Sequence, residues 1–430
     1  MRNGFLVPLL TITLLALSCH KDHPSPTHPA TPTAPKLATT PASNITSTTA
    51  TSGGTFVSDG TDTINFKGIQ WDTSSAFSNH WTISAGSGIS NFSENMTGLF
   101  PNTLYYIRAF AGTDSSHIYY GDTIQFTTTY TPGKYLVSTL AGTGAAGLTN
   151  GDASIATFNG PFGVTVDAYG NIFVADAGNK AIRKITPAGV VSTLALTGGG
   201  TPEDIVADAA GNVYVPESNC IIQKITPSGQ ISTFAGSGTQ GRADGTGTSA
   251  SFNNPVTIAI DPAGNLYVGD ILNFRKITPG GVVTTLPTYS TSTSQPCFAI
   301  AVDSHYNLYE SDGHAIVKVD SAGAESFVAG SGQTGNADGT GLAASFGMLT
   351  ELRIDAAGNI YAADISNNKV RLITPASVAT TTAGTGVKGA QDGNSAIATF
   401  NGPIGLAFDN AGNIIVVDAG NNKIRKITLQ

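Results

Sequence analysis

The sequence predicts an all-β protein in which a β-propeller of six four-stranded units follows a β-sandwich. Three observations carry this prediction. The stretch 159–186 returns in closely similar form at 401–428, with weaker copies between them. Short alternating apolar and polar runs precede these repeats and predict half-buried strands. Only 12% of the residues are charged, and Gly, Ser and Thr are abundant, which is typical of exported all-β proteins.

A short turn motif marks each repeat. An apolar run ends at an Asp, the next run begins at an Asn, and a Gly stands before that Asn in all copies but one. The Asp side chain can accept turn amides, and the Gly supplies the left-handed residue of a hairpin. In the fourth copy Tyr306 replaces this Gly, and because a bulky residue is strained at positive φ we expect that hairpin to differ. The six turn aspartates are Asp167, Asp208, Asp261, Asp303, Asp355 and Asp409.

Two further strands complete each unit. They are clearest at Ala181–Thr186 and Val190–Leu194, and four antiparallel strands at a period of about 40 to 50 residues predict propeller blades. The last copy has no fourth strand after it, whereas an additional strand of this type, Leu136–Leu140, precedes the first copy. We expect this strand to complete the sixth blade and close the ring, which would remove two exposed edges.

The repeats resemble the NHL family. The pattern GPxGxxxDxxGNxxVxDxxNxxIRKI carries the resemblance across residues 134–430, strongly in repeats one, three, five and six and more weakly in two and four. The resemblance implies a six-bladed β-propeller, in agreement with the strand count. It also implies a binding function, since family members mostly bind proteins and some bind RNA, although lyases and lactonases occur among the relatives.

Residues 36–130 form the predicted β-sandwich, with about seven short alternating strands. The segment Gly98–Ala109 resembles the fibronectin type III signature. That resemblance implies that Trp71 lies in the core between the two sheets and that Tyr105 forms a tyrosine corner. Such modules are mostly spacers or adhesion units.

Residues 1–19 are typical of a bacterial lipoprotein signal. Arg2 supplies the positive end, Phe5–Leu17 is apolar but too short for a membrane span, and Leu-Ala-Leu-Ser precedes Cys19. This resembles a lipobox, which implies lipid attachment at Cys19, but Ala16 departs from the usual Leu and leaves a plain secretory signal open. Residues 20–35, rich in Pro, Thr and Ser, predict a disordered tether. We therefore expect an exported protein, lipid-anchored in the cell envelope at the outer membrane.

Four linkers between blades share a Gly-rich stretch, an Asn-Gly or Asp-Gly pair and a Phe. Their GxGxxG motifs have no helix after them, so they predict loops and not a dinucleotide site. The Asp-Gly pairs could hold Ca²⁺, but no linker has EF-hand spacing, so turn formation is favoured and we expect no cofactor. Each Phe is expected to pack between blades. The candidate partner-binding face comprises Asn150, Phe158, Asp244, Phe252, Asp338, Phe346, Asp392 and Phe400.

An acid follows the second strand of every repeat, and an Arg occurs in the third strand of four of them. Because repetition is symmetric and a catalytic constellation is not, these pairs predict scaffolding between blades. The acids Glu203, Glu310 and Glu351 occur once and could lie in the channel or on the top face, but we expect Glu351 and Arg353 to be surface variants. The recurring acids are Asp176, Glu217, Asp270, Asp312, Asp364 and Asp418, and the bases are Arg183, Arg275, Arg371 and Arg425.

Charge and composition exclude some functions. The net charge of −8 and the scattered Lys and Arg residues argue against a nucleic-acid partner. The repeats contain only His305 and His314, neither in a zinc motif, and no Ser-His-Asp set is readable. Cys220 and Cys297 fall in non-adjacent repeats, so we expect free thiols.

We call the surface formed by these linkers between blades the linker face. The sequence thus favours a non-enzymatic monomer whose linker face binds a protein or a glycan. The alternative is a lyase-like or lactonase-like enzyme with its site in the central channel.

Overall fold

The structure is a computed structural model that describes residues 33–46, 48–78, 80–97, 99, 103–129, 135–271, 273–286 and 298–429. The predicted signal segment 1–19 with Cys19, most of the tether 20–35, and Cys297 lie outside these residues. Within them the protein is all-β, with four short 3₁₀ turns at Ala177–Asn179, Gly247–Ser249, Gly341–Ala343 and Ala419–Asn421. This described part holds no helix of the length and apolarity that a membrane crossing needs.

The N-terminal part contains two antiparallel sheets. Their strand orders are β1-β2-β5 and β4-β3-β6-β7, and β8 also pairs with β6. Trp71 is buried between them with Ala50, Met96 and Tyr105, which confirms the predicted place of Trp71 in the core. The strands are β1 (Lys36–Ser43), β2 (Ala50–Ser58), β3 (Phe66–Asp72), β4 (Trp81–Ser84), β5 (Phe92–Met96), β6 (Leu104–Asp114), β7 (His117–Tyr120) and β8 (Ile124–Thr127).

The strands that follow form six antiparallel sheets, which we number I to VI in chain order. Strand β9 (Tyr135–Ala141) belongs to sheet VI. Sheet I contains β10 (Gly151–Asp152), β11 (Pro161–Val166), β12 (Ile172–Asp176), β13 (Ala181–Ile185) and β14 (Val190–Ala195). Sheet II contains β15 (Val206–Ala207), β16 (Val213–Glu217), β17 (Ile221–Ile225) and β18 (Ile231–Ala235). Sheet III contains β19 (Gly245–Thr246), β20 (Pro255–Ile260), β21 (Leu266–Asp270), β22 (Asn273–Ile277) and β23 (Val282–Thr285).

The last three sheets follow the same plan. Sheet IV contains β24 (Ala299–Val302), β25 (Leu308–Ser311), β26 (Ile316–Val319) and β27 (Glu325–Ala329). Sheet V contains β28 (Gly339–Thr340), β29 (Leu349–Ile354), β30 (Ile360–Asp364), β31 (Lys369–Ile373) and β32 (Val378–Ala383). Sheet VI contains β33 (Gly393–Asn394), β34 (Pro403–Phe408), β35 (Ile414–Asp418) and β36 (Lys423–Leu429), together with β9.

The six sheets are arranged in a ring. The first strands of the repeats contact one another in the order β11, β15, β20, β24, β29 and β34, and β34 contacts β11 again. Second strands such as β12 and β35 are buried along their whole length and apolar up to the Asp that ends each of them, because each lies between two neighbouring sheets. The core is therefore divided among the sheet interfaces, as in a β-propeller.

Sheet VI contains strands from both ends of the ring. Strand β9 pairs antiparallel with β36, with Val137 opposite Ile427. The additional strand before the first repeat thus takes the fourth position of the last sheet.

The hairpins between first and second strands follow the predicted turn chemistry. The Asp167 carboxylate accepts the backbone N–H groups of Tyr169 and Asn171 at 2.9 and 2.8 Å, and the Asn171 side-chain amide at 2.8 Å. The Gly of five hairpins has φ between 79° and 83°, a conformation that costs glycine no steric strain.

The fourth hairpin does not differ, so that expectation is wrong. Tyr306 adopts φ 64°, and the Asp303 carboxylate still accepts the N–H groups of His305 and Asn307 at 2.8 and 2.9 Å. These bonds hold the turn in place, and the Tyr306 ring is 48% exposed, so the strain is confined to one backbone position.

Replacing Tyr306 with Gly should stabilise the protein. A non-glycine residue in the left-handed region costs about 1–2 kcal/mol, and the extra unfolded-state freedom of Gly offsets about 0.5–1 kcal/mol of the gain. We expect Tyr306→Gly to raise the free energy of unfolding by up to about 1.5 kcal/mol, measured by chemical denaturation. The control is Tyr169→Gly, an exposed turn residue outside the positive-φ region, which should not stabilise. Equal destabilisation by both changes would contradict the strain argument.

The N-terminal sheets contact the hairpin end of the ring. In sheet V, the buried Asn359 side chain donates a hydrogen bond to the Thr103 hydroxyl at 3.1 Å. Asn359 lies in the turn between the first and second strands, at the opposite end of the sheet from the linkers. The linker face therefore points away from the N-terminal sheets.

Candidate partner-binding face and channel pocket

Four sheets contain the same buried ion pair. The carboxylate at the end of the second strand lies 2.7–3.4 Å from the Arg guanidinium of the third strand, and both side chains are at most 1% exposed. The pairs are Asp176–Arg183, Asp270–Arg275, Asp364–Arg371 and Asp418–Arg425. Full burial with both charges paired is what a scaffolding role requires. The bonds join two strands of one sheet to its incoming linker, however, and not neighbouring blades as we expected.

Each Arg also fixes its linker. The second guanidinium nitrogen donates to the linker Asn or Asp side chain at 2.5–2.9 Å. The three aspartates remain 48–51% exposed. The acceptors are Asn150, Asp244, Asp338 and Asp392, so these four predicted face residues are held by the scaffold and still exposed at one edge. Within the described ranges, no group of three or more His, Cys, Asp or Glu side chains could hold a metal ion.

The four linker phenylalanines are fully buried. Phe158, Phe252, Phe346 and Phe400 are 0% exposed, and each ring lies 4.9–5.3 Å below the guanidinium of its Arg. Phe400 packs against Val370 of sheet V and Leu406 of sheet VI, which confirms the expected packing between sheets. In this conformation the rings support the predicted face from below and offer no contact surface.

The linker face is not symmetric. Large aliphatic side chains are 47–69% exposed on the linkers that enter sheets I, V and VI, which are consecutive in the ring. In the linker that enters sheet III, the corresponding positions are polar, including Thr239, Arg242, Thr248 and Ser249. Sequence reasoning missed this difference. The exposed residues are Leu148, Ile155, Leu342, Val387 and Ile397.

A cavity of 510 Å³ opens at the centre of the same face. Residues from all six sheets, or from the linkers that enter them, surround it. We call it the channel pocket. Its apolar wall includes Phe162, Val256, Ile271, Phe298, Met348 and Ile404. Glu203 lies at the level of this wall, and Asp204, Thr257 and Glu351 lie one residue further along their strands and form the floor. A second cavity of 230 Å³ lies at the other end of the first strands.

An acid pair and an Arg separate the two cavities. Glu351 and Arg353 are two residues apart on β29, so both face the channel. Asp204 occupies the same position before its turn Asp as Glu351 does, but in sheet II, opposite sheet V in the ring. Arg353 Nη1 lies 2.6 Å from Glu351 Oε1, and Nη2 lies 3.8 Å from Asp204 Oδ1.

Neighbouring positions adapt to this cluster. Asp204 Oδ2 accepts the backbone N–H of Ile258 at 2.9 Å and the Thr257 hydroxyl at 3.3 Å. In sheet I, Gly163 occupies the position equivalent to Asp204, and a Cβ there would lie 2.7 Å from Asp204 Oδ1. The absence of a side chain at Gly163 thus makes room for the Asp204 carboxyl group.

Burial dominates the electrostatics of the channel. It raises the pKa of Glu351 well above its ordinary value, Arg353 lowers it, and Asp204 raises it again by repulsion and a hydrogen bond between the carboxyl groups. Burial also raises the pKa of Asp204, which Arg353 and three hydrogen-bond donors lower. Burial and then the Asp204 charge raise the pKa of Glu203. Asp204 and Glu351 therefore titrate as a pair that holds a proton more readily than an exposed acid does.

The expectation that Glu351 and Arg353 are surface variants is wrong. Glu351 is 3% exposed and the Arg353 side chain 16%, because both lie on the channel side of a first strand. Aligning all six first strands on their turn aspartates would have shown two acids at one level, four residues before Asp208 and Asp355. Glu310 lies on β25, away from the channel pocket, and burial raises its pKa to about 7.

The other chemistry-bearing residues are dispersed. His314 contacts the Gly347 carbonyl oxygen through Nδ1 at 2.6 Å, and His305 lies in a hairpin at the opposite face. Cys220 is a buried free thiol.

Comparisons with known proteins support the fold. The family model of the Teneurin NHL domain matches residues 231–430. In three dimensions the chain resembles a structural genomics protein of unknown function from Bacteroides thetaiotaomicron, with a TM-score of 0.66 and 18% identity over 94% of this chain and 99% of that one. No curated protein is similar to the chain in sequence.

Two other solved structures are similar over most of their length. An auxiliary nutrient binding protein from Bacteroides ovatus gives a TM-score of 0.58 at 16% identity, over 91% of this chain and 98% of that chain. A putative phosphatase from Bacteroides thetaiotaomicron gives 0.56 at 15% identity, over 92% and 97%. At such identities the likeness shows the fold alone. The protein therefore has a β-propeller-like fold whose C-terminal part is similar to the NHL domain of teneurins.

Proposed function

We propose that the protein is a non-enzymatic binding protein of a bacterial cell envelope, and that its linker face docks a partner protein. The exposed aliphatic side chains on the linkers of sheets I, V and VI carry this proposal. The repeated Asp and Arg groups of this face are engaged in the scaffold. Burial of the aliphatic groups against a protein would remove apolar surface from water. A glycan, the other partner class that the sequence suggests, would gain little from isolated aliphatic side chains.

The architecture supports the presentation of this face. The cyclic contacts of six sheets and the β9–β36 pairing favour a six-bladed NHL propeller over residues 134–430, closed by the strand at 136–140. The strand order of the N-terminal sheets favours a fibronectin type III-like spacer over residues 36–130. With a lipid at Cys19 and a tether over 20–35, the monomer would hold its linker face away from the outer membrane. One protein of similar fold is named an auxiliary nutrient binding protein, which agrees with a binding role.

The test compares matched linker variants in capture experiments. Residues 36–430 are immobilised and exposed to envelope extract, and the captured proteins are quantified. We expect Leu342→Glu and Val387→Glu to lower capture of the main partner about tenfold or more, because each variant would bury an unpaired charge at the contact. The matched controls are Thr248→Glu and Thr239→Glu, at the corresponding exposed positions of the sheet III linker.

A glycan array with the same four variants distinguishes the partner classes. Glycan binding that the aliphatic variants leave unchanged would contradict the proposed protein-docking role. Equal loss of captured protein in all four variants would show that the partner does not bind specifically to the aliphatic linkers of sheets I, V and VI.

The alternative function is an enzyme with its site in the channel. The observation that favours it is the convergence of Asp204, Glu351 and Arg353, since strongly shifted carboxyl groups are frequent in active sites. We rank the enzyme second because Asp204, Glu351 and Arg353 are ion-paired with one another in the structure. A stoichiometric metal ion at the channel, with activity lost on chelation, would favour the enzyme and refute a purely binding function.

A further inference from the structure

The channel pocket has the size of a small-molecule site. Its 510 Å³ falls within the range of about 300–1,000 Å³ typical of ligand pockets, which combine apolar walls with a few placed polar groups. Phe162 and Ile404 contribute to the apolar wall, and carboxyl groups form the floor. An occupant would place its apolar part toward the wall and a polar group at the floor.

The pocket carries an excess of acid. Glu203, Asp204 and Glu351 line the pocket, and Arg353 approaches two of them from below. Among the described residues, no Lys, Arg or His lines the pocket. In the same part of the chain, the Glu203 carboxylate has no hydrogen bond or ion pair. Arg353 can neutralise one of the three groups and the Asp204–Glu351 pair can share a proton, so Glu203 is the acid left without a partner, and its carboxylate favours a positive charge in the pocket.

The scaffold does not require these acids. Four residues before the turn Asp, the other sheets carry Gly163, Thr257, Ala299 and Gly405, so the ring forms without a carboxyl group at this level. Moving a carboxyl group out of water is unfavourable. Departures from stabilising rules concentrate at functional sites. The cluster is therefore better explained by an occupant of the pocket than by stability.

We propose that the channel pocket binds a small organic cation, an apolar molecule that carries a protonated amine. The ammonium group donates hydrogen bonds to Glu203 and to the Asp204–Glu351 pair, and the apolar part packs against Phe162, Val256 and Ile404. This inference does not depend on the partner-binding role of the linkers, because the variants that test the two functions are different.

Calorimetric titration of the intact protein at neutral pH with three probes tests the proposal. They are 2-phenylethylamine, 2-phenylethanol and 3-phenylpropionate, which have similar apolar parts and carry positive, zero and negative charge. We expect the amine to bind about tenfold or more tightly than the alcohol, the factor that a charge-assisted hydrogen bond supplies. The carboxylate should not bind.

Two isosteric variants locate the effect. Glu203→Gln should weaken binding of the amine about tenfold and leave binding of the alcohol unchanged. Since Glu203 has no partner within the described structure, the variant should keep the melting temperature of the wild type. Glu310→Gln, a buried acid outside the pocket, should bind all probes as the wild type does. Equal binding of the three probes, no binding of any probe at millimolar concentration, or an unchanged amine affinity in Glu203→Gln would each overturn the proposal.

Discussion

Replacing Arg371 with Ala should lower the free energy of unfolding by about 3–5 kcal/mol, the usual effect of removing one partner of a buried ion pair. Asp364 is 0% exposed and lies 3.0 Å from Arg371. Without the guanidinium, a buried carboxylate keeps only neutral donors, and the carbonyl groups of Ser345 and Ala337 lose theirs. The measurement is chemical denaturation followed by intrinsic fluorescence and circular dichroism.

Two further variants make this prediction specific. Lys426→Ala removes an ion pair of 2.8 Å whose side chains are 30% and 18% exposed, and it should cost less than about 1 kcal/mol. The double replacement Asp364→Leu with Arg371→Met should recover much of the loss, because it leaves no buried charge unpaired. If Arg371→Ala proved no more harmful than Lys426→Ala, the scaffolding role of the buried pairs would be refuted.

Replacing Phe400 with Ala should cost about 3–5 kcal/mol, as for other large-to-small changes of buried aromatic residues. The ring is 0% exposed, packs between sheets V and VI, and lies 5.3 Å from the Arg425 guanidinium. Its removal leaves a cavity between two sheets and takes the aromatic face from a buried cation. The free energy of unfolding is measured as for Arg371.

An exposed phenylalanine provides the matched control. Phe327 on β27 is 47% exposed, so Phe327→Ala should change the free energy of unfolding by about 0.5 kcal/mol or less. Similar losses in the two variants would show that the linker ring does not hold the sheets together.

The sequence predicted those features of the fold that depend on neighbouring residues. An Asp, a Gly and an Asn within five positions determine the turn, because the Asp carboxylate makes the side-chain hydrogen bonds that hold it, so Asp167 and Gly170 were interpretable without the structure. The same local reasoning failed at Tyr306, where the Asp303 bonds outweigh the steric preference of one residue. Leu136–Leu140 was assigned by counting strands, which also requires no distances.

The channel site depends on residues far apart in the chain. Asp204 and Glu351 meet only because sheets II and V lie opposite in the ring, and each acid alone looks like an isolated substitution. The burial of the linker phenylalanines followed from their fixed spacing. The exposure of Leu342 or Val387 depends on the path of each linker, which the repeat pattern does not specify. The repeated residues thus revealed the scaffold, whereas the residues that differ between repeats could be interpreted only with the structure.

The pairing of β9 with β36 has a kinetic consequence. Val137 and Ile427 are opposite each other although about 290 residues separate them in the chain. Contacts between such distant residues slow folding, because a long loop must close before they form. Until residues 423–429 have emerged from the ribosome, β9 lacks its long partner β36 and the ring cannot close. Until then the nascent chain exposes an unpaired edge of β9, and such edges promote aggregation.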